Sequence, residues 1–377
     1  MLPTAFDLTR ELLRLDTVNP PGDELECALR LAALLEGAGF TVRRHDLDAR
    51  RASIVATLPG RDGTRPLGLT GHLDVVPLGA VPWLHDAFAG DTDGPRLYGR
   101  GSSDMKSGVA AMVLAACTLA PKVAKAGGAG LELVLTASEE DGCVGSARLL
   151  ESGLLGHAGA LLVGEPTANA ACVGHKGTLK FRAHFRGVTA HGSMPQLGDN
   201  AVHKAARAVL DLAAFDFGAP PHPVMGRPTL NVGTIEGGLN VNSVPDRAAV
   251  GVDVRTVPGI DHCALCGRLR SLFPADTELE ILQDAEPVYT EPDDPWVAQV
   301  LETTARVTGE PSPDAPDTLA FYTDAGNLRR AYGAVPTVIL GPGEPSQAHQ
   351  TDEWCGIERI AQSQAIYEAL IARWCRA

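Results

Sequence analysis

Hydrophobic positions in the first half of the chain follow helical and strand periods in turn. Thr4 stands before Leu8, Leu12, Leu13 and Leu15, a spacing typical of a capped amphipathic helix. A second helix is predicted at 24–37, and short strands are predicted at 41–45, 53–58, 67–69, 131–135 and 161–163. Because helices alternate with strands, we expect an α/β domain with a central mixed sheet flanked by helices.

The pattern changes after about residue 175. Half-exposed strands are predicted at 179–186, 250–255 and 278–283, and helices at 200–212 and 261–273. These elements predict a smaller α+β domain, a ferredoxin-like sandwich, inserted into the first one. An acidic, proline-containing linker at 286–295 returns the chain to the first domain. The expected domains are therefore 1–175 with 288–377, and the insert at 176–287.

Composition and charge narrow the class of protein. The 377 residues exceed one ordinary domain, and 45% hydrophobic with 21% charged residues is a globular composition. A formal net charge of -14 argues against a polyanionic partner, so no nucleic acid is expected. No stretch has the apolar length of a membrane span, and the N-terminus lacks the apolar core of a signal peptide, so no membrane is expected.

The eight cysteines favour a reducing compartment. They lack the regular spacing of a disulfide framework, which predicts a cytoplasmic protein. Cys263 and Cys266 form a lone Cys-x-x-Cys pair in a predicted helix, and we interpret this pair as inert.

Ionisable residues gather where the apolar runs end. In chain order they are His72, Asp74, Asp104, Glu139, Glu140, Glu165 and His349. The strands predicted at 67–69, 131–135 and 161–163 each stop just before one of these clusters. In an open α/β sheet such strand ends meet at one edge, where active sites form.

Five of these side chains make up a ligand set for metal ions. The set consists of His72, Asp104, Glu140, Glu165 and His349. A set of histidine nitrogens and carboxylate oxygens is typical of zinc sites, and cobalt or manganese can substitute for zinc in such a set. Three anions against two dications leave one positive charge, which a bridging hydroxide would cancel. Asp104 is the candidate to bridge both ions because it is short and lies in a glycine-rich turn.

Each short motif also has a purely structural interpretation. His72 alone could be a core histidine that Asp74 satisfies, and 139–141 alone could be a solvated turn before a helix. A common site explains the clusters together, since buried charges need pairing or a metal.

The ordered segments at 69–77, 99–106, 138–142, 164–167 and 347–353 resemble one known family. It is the di-zinc amidohydrolase and peptidase family that contains acetylornithine deacetylase, succinyl-diaminopimelate desuccinylase, aminoacylase and glutamate carboxypeptidases. The resemblance implies two Zn²⁺ ions per chain. One would be bound by His72, Asp104 and Glu165, and the other by Asp104, Glu140 and His349.

The resemblance also implies roles for the residues around the metals. Asp74 would orient His72 by accepting its other ring N–H. Glu139, next to a ligand, would act as general base and then as general acid. A non-proline cis peptide bond is expected between Asp104 and Met105.

Three residues of the insert gain roles from the same resemblance. In a homodimer formed through the insert, His191 would enter the neighbouring subunit's active site and stabilise the oxyanion. Arg255, with Asn240, would bind the α-carboxylate of the substrate. The residues alone leave His191 a lone histidine, more often structural, and leave Arg255 open to a salt bridge with Asp253 or Asp246.

The implied substrates are small N-acyl amino acids. Residues 336–350 look most like acetylornithine deacetylase, which implies N-acetylornithine and arginine biosynthesis. Asp324 could attract a cationic ornithine side chain or cap the following helix. The alternatives are succinyl-diaminopimelate desuccinylase, a broader N-acyl-amino-acid amidohydrolase or dipeptidase, and a non-hydrolytic amino-acid binding protein. Glu139 argues against the last, since a binder needs no base.

Overall fold

The computed structural model describes residues 2–61, 63–313 and 315–377. Its helices are α1 (Ala5–Leu13), α2 (Leu25–Gly37), α3 (Lys106–Lys125), α4 (Val144–Ser152), α5 (Ala201–Ala213), α6 (His262–Arg270), α7 (Pro295–Thr308), α8 (Ala325–Tyr332) and α9 (Ile357–Cys375). Its strands are β1 (Thr41–Asp46), β2 (Ala52–Leu58), β3 (Leu67–His72), β4 (Thr92–Asp93), β5 (Arg96–Tyr98), β6 (Leu131–Thr136), β7 (Ala160–Val163), β8 (Cys172–His175), β9 (Gly177–Arg186), β10 (Thr229–Gly237), β11 (Arg247–Thr256), β12 (Glu278–Ala285), β13 (Val288–Tyr289), β14 (Asp317–Leu319), β15 (Thr337–Ile339) and β16 (Trp354–Gly356).

The chain divides into two compact units. Unit 1 consists of Met1–Gly174, Val288–Leu319 and Thr323–Ala377, and unit 2 consists of His175–Pro287 and Ala320–Tyr322. The sequence pattern assigns His175 and 320–322 to the first domain, whereas both belong to unit 2 in the structure. Residues 320–322 are too few to show a hydrophobic periodicity that would assign them to the insert.

A mixed nine-stranded sheet forms the centre of unit 1. Its order is β1-β2-β6-β3-β7-β15-β8-β13, and β14 pairs with β8. β3 runs parallel to β6 and β7, and β15 runs parallel to β7, whereas β1 and β2 are antiparallel. All residues of β3, β6 and β7 are buried, as is typical of parallel strands covered on both faces. The predicted mixed sheet flanked by helices is confirmed.

Helix α3 lies in the core of unit 1. It has 20 residues, and the mean hydropathy of its most apolar part is 1.6, so it is long and apolar enough to cross a membrane by length and composition. The prediction that no stretch reaches that length was therefore wrong. In the structure 78% of its apolar window is buried among protein atoms, and the helix packs against α1 and α9. A run of small apolar residues here builds a core helix.

Unit 2 has the order β9-α5-β10-β11-α6-β12. Its four strands form an antiparallel sheet with the spatial order β10-β11-β9-β12, which is the ferredoxin-like arrangement. Alternate residues of β9 and β11 are buried, and they form one core with the apolar faces of α5 and α6. The alternation that predicted half-exposed strands is therefore present in these two strands.

Several element boundaries differ from the predictions. The helix expected at 261–273 ends at Arg270, and the strand expected at 250–255 begins at Arg247. β10 was not predicted, because most of its residues are exposed and a bulge between Val232 and Thr234 interrupts its alternation.

Candidate metal centre

Neighbouring parallel strands bring ionisable residues to one edge of the unit 1 sheet. His72 is the last residue of β3, Glu139 and Glu140 follow β6, and Glu165 follows β7. β3 pairs with both β6 and β7, so these three strand ends are adjacent. His349 lies in the segment after β15, which is parallel to β7.

Asp104 lies between the two histidines. Its Oδ1 is 3.1 Å from Nε2 of His72, and its Oδ2 is 3.5 Å from Nε2 of His349. Oε1 of Glu165 is 3.8 Å from the same His72 nitrogen, and Oε2 of Glu140 is 3.0 Å from the same His349 nitrogen. The five side chains therefore converge as two groups that share one aspartate.

The backbone next to Asp104 has the geometry expected from the family resemblance. The peptide bond between Asp104 and Met105 is cis, which confirms that prediction. Met105 is buried, and its sulfur lies 3.4 Å from the backbone nitrogen of His72. Helix α3 begins at the next residue, Lys106.

Asp74 forms hydrogen bonds with His72 and with the adjacent pair Glu139 and Glu140. Nδ1 of His72 lies 3.0 Å from the main-chain oxygen of Asp74 but 3.6 Å from its Oδ1, so the orienting hydrogen bond involves the main chain. The carboxylate, which was the predicted orienting group, remains within ion-pair distance of the ring, and its orienting role stays a prediction. It also accepts hydrogen bonds from the backbone N–H groups of Glu139 and Glu140, at 3.0 and 3.1 Å. Asn19 donates a further hydrogen bond to it at 2.9 Å.

Glu139 is buried beside the cluster. Burial raises the pKa of its carboxyl group well above the usual range, and the carboxylates of Glu165 and Asp324 raise it further. The thiol of Cys143 donates to Oε1 of Glu139 at 3.5 Å. A carboxyl group with a raised pKa is suited to proton exchange near neutral pH.

The carboxylates of the cluster repel one another. Burial, followed by the charge of Asp104, raises the pKa of Glu140 to about 7. Burial also raises the pKa of Glu165 well above its usual range, with Asp104 and Glu140 adding to the effect. Burial opposes ionisation of Asp104 too, but its hydrogen bond with His72, together with the charges of His72 and His349, lowers its pKa. Bound cations would relieve this repulsion.

The side chains present fit divalent metal ions. Oε1 of Glu140 is buried and has no hydrogen-bond partner among the residues that the structure describes, although Oε2 of the same group faces His349. A buried carboxylate oxygen is costly to leave unpaired, and a cation would satisfy it. Ligand atoms of His72, Asp104 and Glu140 lie within 4.8 Å of one another. Such a nitrogen and oxygen set is typical of zinc and similar ions.

Asp324 does not cap the following helix, one of the two roles considered from the sequence, and its attraction of a cationic substrate side chain stays a prediction. It is 3% exposed, and its carboxylate accepts hydrogen bonds from the hydroxyl groups of Thr136 and Ser146. Although it is the residue before α8, its side chain makes no capping hydrogen bond. The hydroxyl group of Thr323 accepts the backbone N–H of Ala325 instead.

The three residues singled out in the insert all lie in unit 2. His191 is exposed, and its Nδ1 lies 2.8 Å from Oγ of Ser193. Asn240 is exposed, and its Oδ1 accepts the backbone N–H of Asn242.

Arg255 forms the strand-face salt bridge that was its alternative interpretation. Its Nε and one terminal nitrogen lie 2.9 and 3.0 Å from the two carboxylate oxygens of Asp253. Its guanidinium also lies 5.9 Å from the centre of the Tyr322 ring. The side chain is 28% exposed, so it remains accessible from solvent.

Sequence reasoning assigned no role to two further residues near the cluster, Asn19 and Cys143. Asn19 is buried in the turn between α1 and α2 and bonds both Asp74 and Ser138. Its only sequence signal was the turn-rich run from Asn19 to Gly22. Cys143 resembled any other small core residue.

The fold and this cluster are those of a metal-dependent hydrolase. The model of peptidase family M20/M25/M40 matches residues 68–373, and the chain belongs to that family. The resemblance drawn from the ordered segments is therefore confirmed.

Individual relatives cover nearly the whole chain. Acetylornithine deacetylase of Myxococcus xanthus is 30% identical, with 99% of this chain and 98% of that protein covered. The "probable succinyl-diaminopimelate desuccinylase" of Staphylococcus epidermidis is 30% identical, with 92% of each covered. The crystal structure of the M20 family metallo-carboxypeptidase Sso-CP2 from Sulfolobus solfataricus is 19% identical, with 100% of both chains covered and a TM-score of 0.81.

Proposed function

We propose that this protein hydrolyses the amide bond of N-acyl amino acids, using two zinc ions bound by His72, Asp104, Glu140, Glu165 and His349. The position of Asp104 carries the proposal. Its two oxygens face different histidines, at 3.1 and 3.5 Å, which is the arrangement that a bridging ligand requires. Cobalt or manganese could replace zinc in such a set.

The protein's own groups would then move the protons. When bound, the metal ions supply Lewis-acid chemistry at the substrate carbonyl. Glu139 accepts a proton from the attacking water and returns it to the leaving nitrogen. The Asp74 carboxylate accepts hydrogen bonds from the backbone N–H groups of Glu139 and Glu140, which keeps the base and the metal ligand in separate positions.

Substrate binding and assembly are proposed from the family resemblance. Arg255 and Asn240 bind the substrate α-carboxylate, and the two N–H groups that Arg255 directs to Asp253 would have to turn to that carboxylate. The insert at 176–287 pairs two chains in a homodimer, and His191 stabilises the oxyanion in the neighbouring active site. The remaining part of the chain, 1–175 and 288–377, forms the catalytic domain.

N-acetylornithine is the preferred substrate in this proposal. It is supported by the 30% identity to an acetylornithine deacetylase over 99% of the chain. The same level of identity to a desuccinylase keeps N-succinyl-diaminopimelate as the second candidate. Deacetylation of N-acetylornithine would place the protein in the cytoplasm, in arginine biosynthesis.

A substrate panel tests the proposal. Metal-free protein is reloaded with Zn²⁺ and assayed with N-acetylornithine, N-succinyl-diaminopimelate, several N-acetyl amino acids and a dipeptide. We expect turnover of N-acetylornithine that chelation abolishes and Zn²⁺ restores. Faster turnover of the succinyl substrate would shift the assignment to the second candidate. Substrate binding without turnover on the whole panel would instead indicate an amino-acid binding protein.

A further inference from the structure

Glu353 is a completely buried carboxylate with four hydrogen-bond donors around it. Oε1 accepts the backbone N–H groups of Ser103 and Asp104, at 2.7 and 2.9 Å. Oε2 accepts the backbone N–H of Gly101 at 2.9 Å and the side chain of Arg100 at 2.7 Å. The residue is 0% exposed.

Three backbone N–H groups of the segment around this carboxylate have their acceptor in Glu353. Residues 99–104 belong to no helix or strand, and Gly101 has a φ of +90°, a conformation that glycine adopts most easily. A side chain at Gly101 would also meet Val75, since an added Cβ would lie 2.7 Å from its Cγ1. Buried N–H groups need acceptors, and Glu353 provides them for three of these residues.

Arg100 extends the same network to the segment of His349. It is 1% exposed, and one of its nitrogens donates both to Glu353 and to the main-chain oxygen of Gln350, which it reaches at 3.1 Å. Gln350 directly follows His349 in the sequence. The buried ion pair therefore joins the two segments that carry Asp104 and His349.

We propose that Glu353 is a positioning residue that fixes Asp104 for metal binding. It acts through the backbone, because the N–H of Asp104 donates to Glu353 while the carboxylate of Asp104 stays free to face His72 and His349. This inference rests on the proposed metal site. It adds a carboxylate that touches neither metal nor substrate but sets the spacing of the ligands.

The test compares Glu353→Gln with a matched control, Glu132→Gln. Glu132 is also buried, and it accepts the backbone N–H of Gly156 and the hydroxyl group of Tyr332. It lies near the start of β6, at the end of the strand away from the metal centre. Glu353→Gln places an amide NH₂ among N–H donors, because both oxygens of Glu353 accept hydrogen bonds. Glu132→Gln replaces the carboxylate oxygen that accepts both of its hydrogen bonds with an amide oxygen, a weaker acceptor. Both variants should therefore lose folding stability. Only Glu353→Gln should alter metal binding.

The readouts are Zn²⁺ affinity, by competition with a chromogenic chelator, and thermal unfolding of the metal-free proteins. We expect Glu353→Gln to weaken Zn²⁺ binding about 10–100-fold, the usual effect of removing a group that orients a ligand. Glu132→Gln should bind Zn²⁺ like the wild type. Equal weakening in both variants, or wild-type affinity in Glu353→Gln, would overturn the proposal.

A second variant covers the case in which Glu353→Gln does not fold. Arg100→Lys keeps the positive charge but loses the second terminal nitrogen, which donates to the main-chain oxygen of Pro77, so one ammonium group cannot reproduce the contacts to Glu353, Gln350 and Pro77. It should weaken Zn²⁺ binding in the same direction, and unchanged affinity would count against the positioning role. Wild-type protein that fails to bind two ions would refute the proposed function itself, and this inference with it.

Discussion

At the scale of single residues, the adjacent Glu139 and Glu140 show how one dipeptide can serve two purposes. Oε2 of Glu140 faces His349 at 3.0 Å, while the carboxyl group of Glu139 receives the Cys143 thiol. Neighbouring side chains cannot occupy one place, and the carboxylate of Asp74 fixes both backbone N–H groups. A ligand and a base can therefore be distinguished experimentally.

Glu139→Gln should abolish most turnover and leave metal binding intact. Removal of a general base typically lowers turnover by about 10²–10⁴-fold. Glu140→Ala should instead lose bound metal, because it removes a proposed ligand. Metal analysis of purified protein, alongside turnover of N-acetylornithine, separates the two outcomes. Near-normal turnover by Glu139→Gln would exclude it as the base.

Glu24 makes the stability of unit 1 depend on pH. Burial, with the nearby charge of Asp74, raises the pKa of Glu24 from 4.5 to about 7. Between these values the unfolded chain has released the proton while the folded chain still holds it. Stability therefore falls as pH rises from about 4.5 to 7, by roughly 3 kcal/mol in total for this group.

Glu24→Gln should remove the loss of folding stability that Glu24 causes as the pH rises. Urea unfolding of the metal-free proteins at pH 5 and pH 8 should show the variant gaining stability relative to the wild type at the higher pH. Glu26→Gln is the control, because Glu26 is exposed in the first turn of α2, two residues after Glu24. The stability of this variant should change with pH as that of the wild type does. If the unfolding free energies of Glu24→Gln and the wild type differed by the same amount at both pH values, the raised pKa of Glu24 would be contradicted.

At the scale of elements, the close approach of α3 to the end of β7 places Glu165. A Cβ added to Gly108 of α3 would lie 2.2 Å from the main-chain oxygen of Gly164, the residue before Glu165. The contact is with backbone, which cannot rotate away as a side chain can. The helix can approach the strand this closely because residue 108 is glycine.

Gly108→Ala should therefore destabilise unit 1 and weaken metal binding. Overpacking of this kind costs about 1–3 kcal/mol, and displacement of Glu165 should lower Zn²⁺ affinity. Gly37→Ala in α2 is the control, since an added Cβ there meets nothing within 4 Å. It should leave stability unchanged or raise it by about 0.5–1 kcal/mol. Urea midpoints and Zn²⁺ titrations of both variants measure these effects, and equal behaviour would refute the packing argument.

At the scale of the whole molecule, the proposed function requires unit 1 and unit 2 to act together. The five proposed ligands and Glu139 belong to unit 1, whereas His191, Asn240 and Arg255 belong to unit 2. If His191 serves a neighbouring chain, two differently damaged chains should complement each other.

Mixing His191→Ala chains with Asp104→Ala chains should restore activity. In a heterodimer one site has an intact Asp104 and receives an intact His191, so random pairing restores about a quarter of wild-type turnover. Each variant alone should be inactive. Heterodimers that are detected by mass but remain inactive would show that His191 does not act across an interface.

The sequence by itself determined the kinds of element in unit 1 and the identity of the chemical groups. Apolar runs such as 131–135 became buried strands because their signal is local, and polar clusters after them mark the strand ends. The order of the motifs identified the family before any contact was known. The α3 helix shows the limit of such signals, because composition alone does not distinguish a core helix from a membrane span.

Only the tertiary structure decided which groups meet. Glu353 and Asp104 are hydrogen-bonded although 249 positions separate them. Thr136 and Asp324 are likewise hydrogen-bonded across 188 positions. The hydrogen bonds from the backbone N–H groups of Glu139 and Glu140 to the Asp74 carboxylate also left no mark on the periodicity. Local sequence patterns predict the secondary structure of a segment and the face that it buries. The contacts named here depend instead on how distant segments pack against one another.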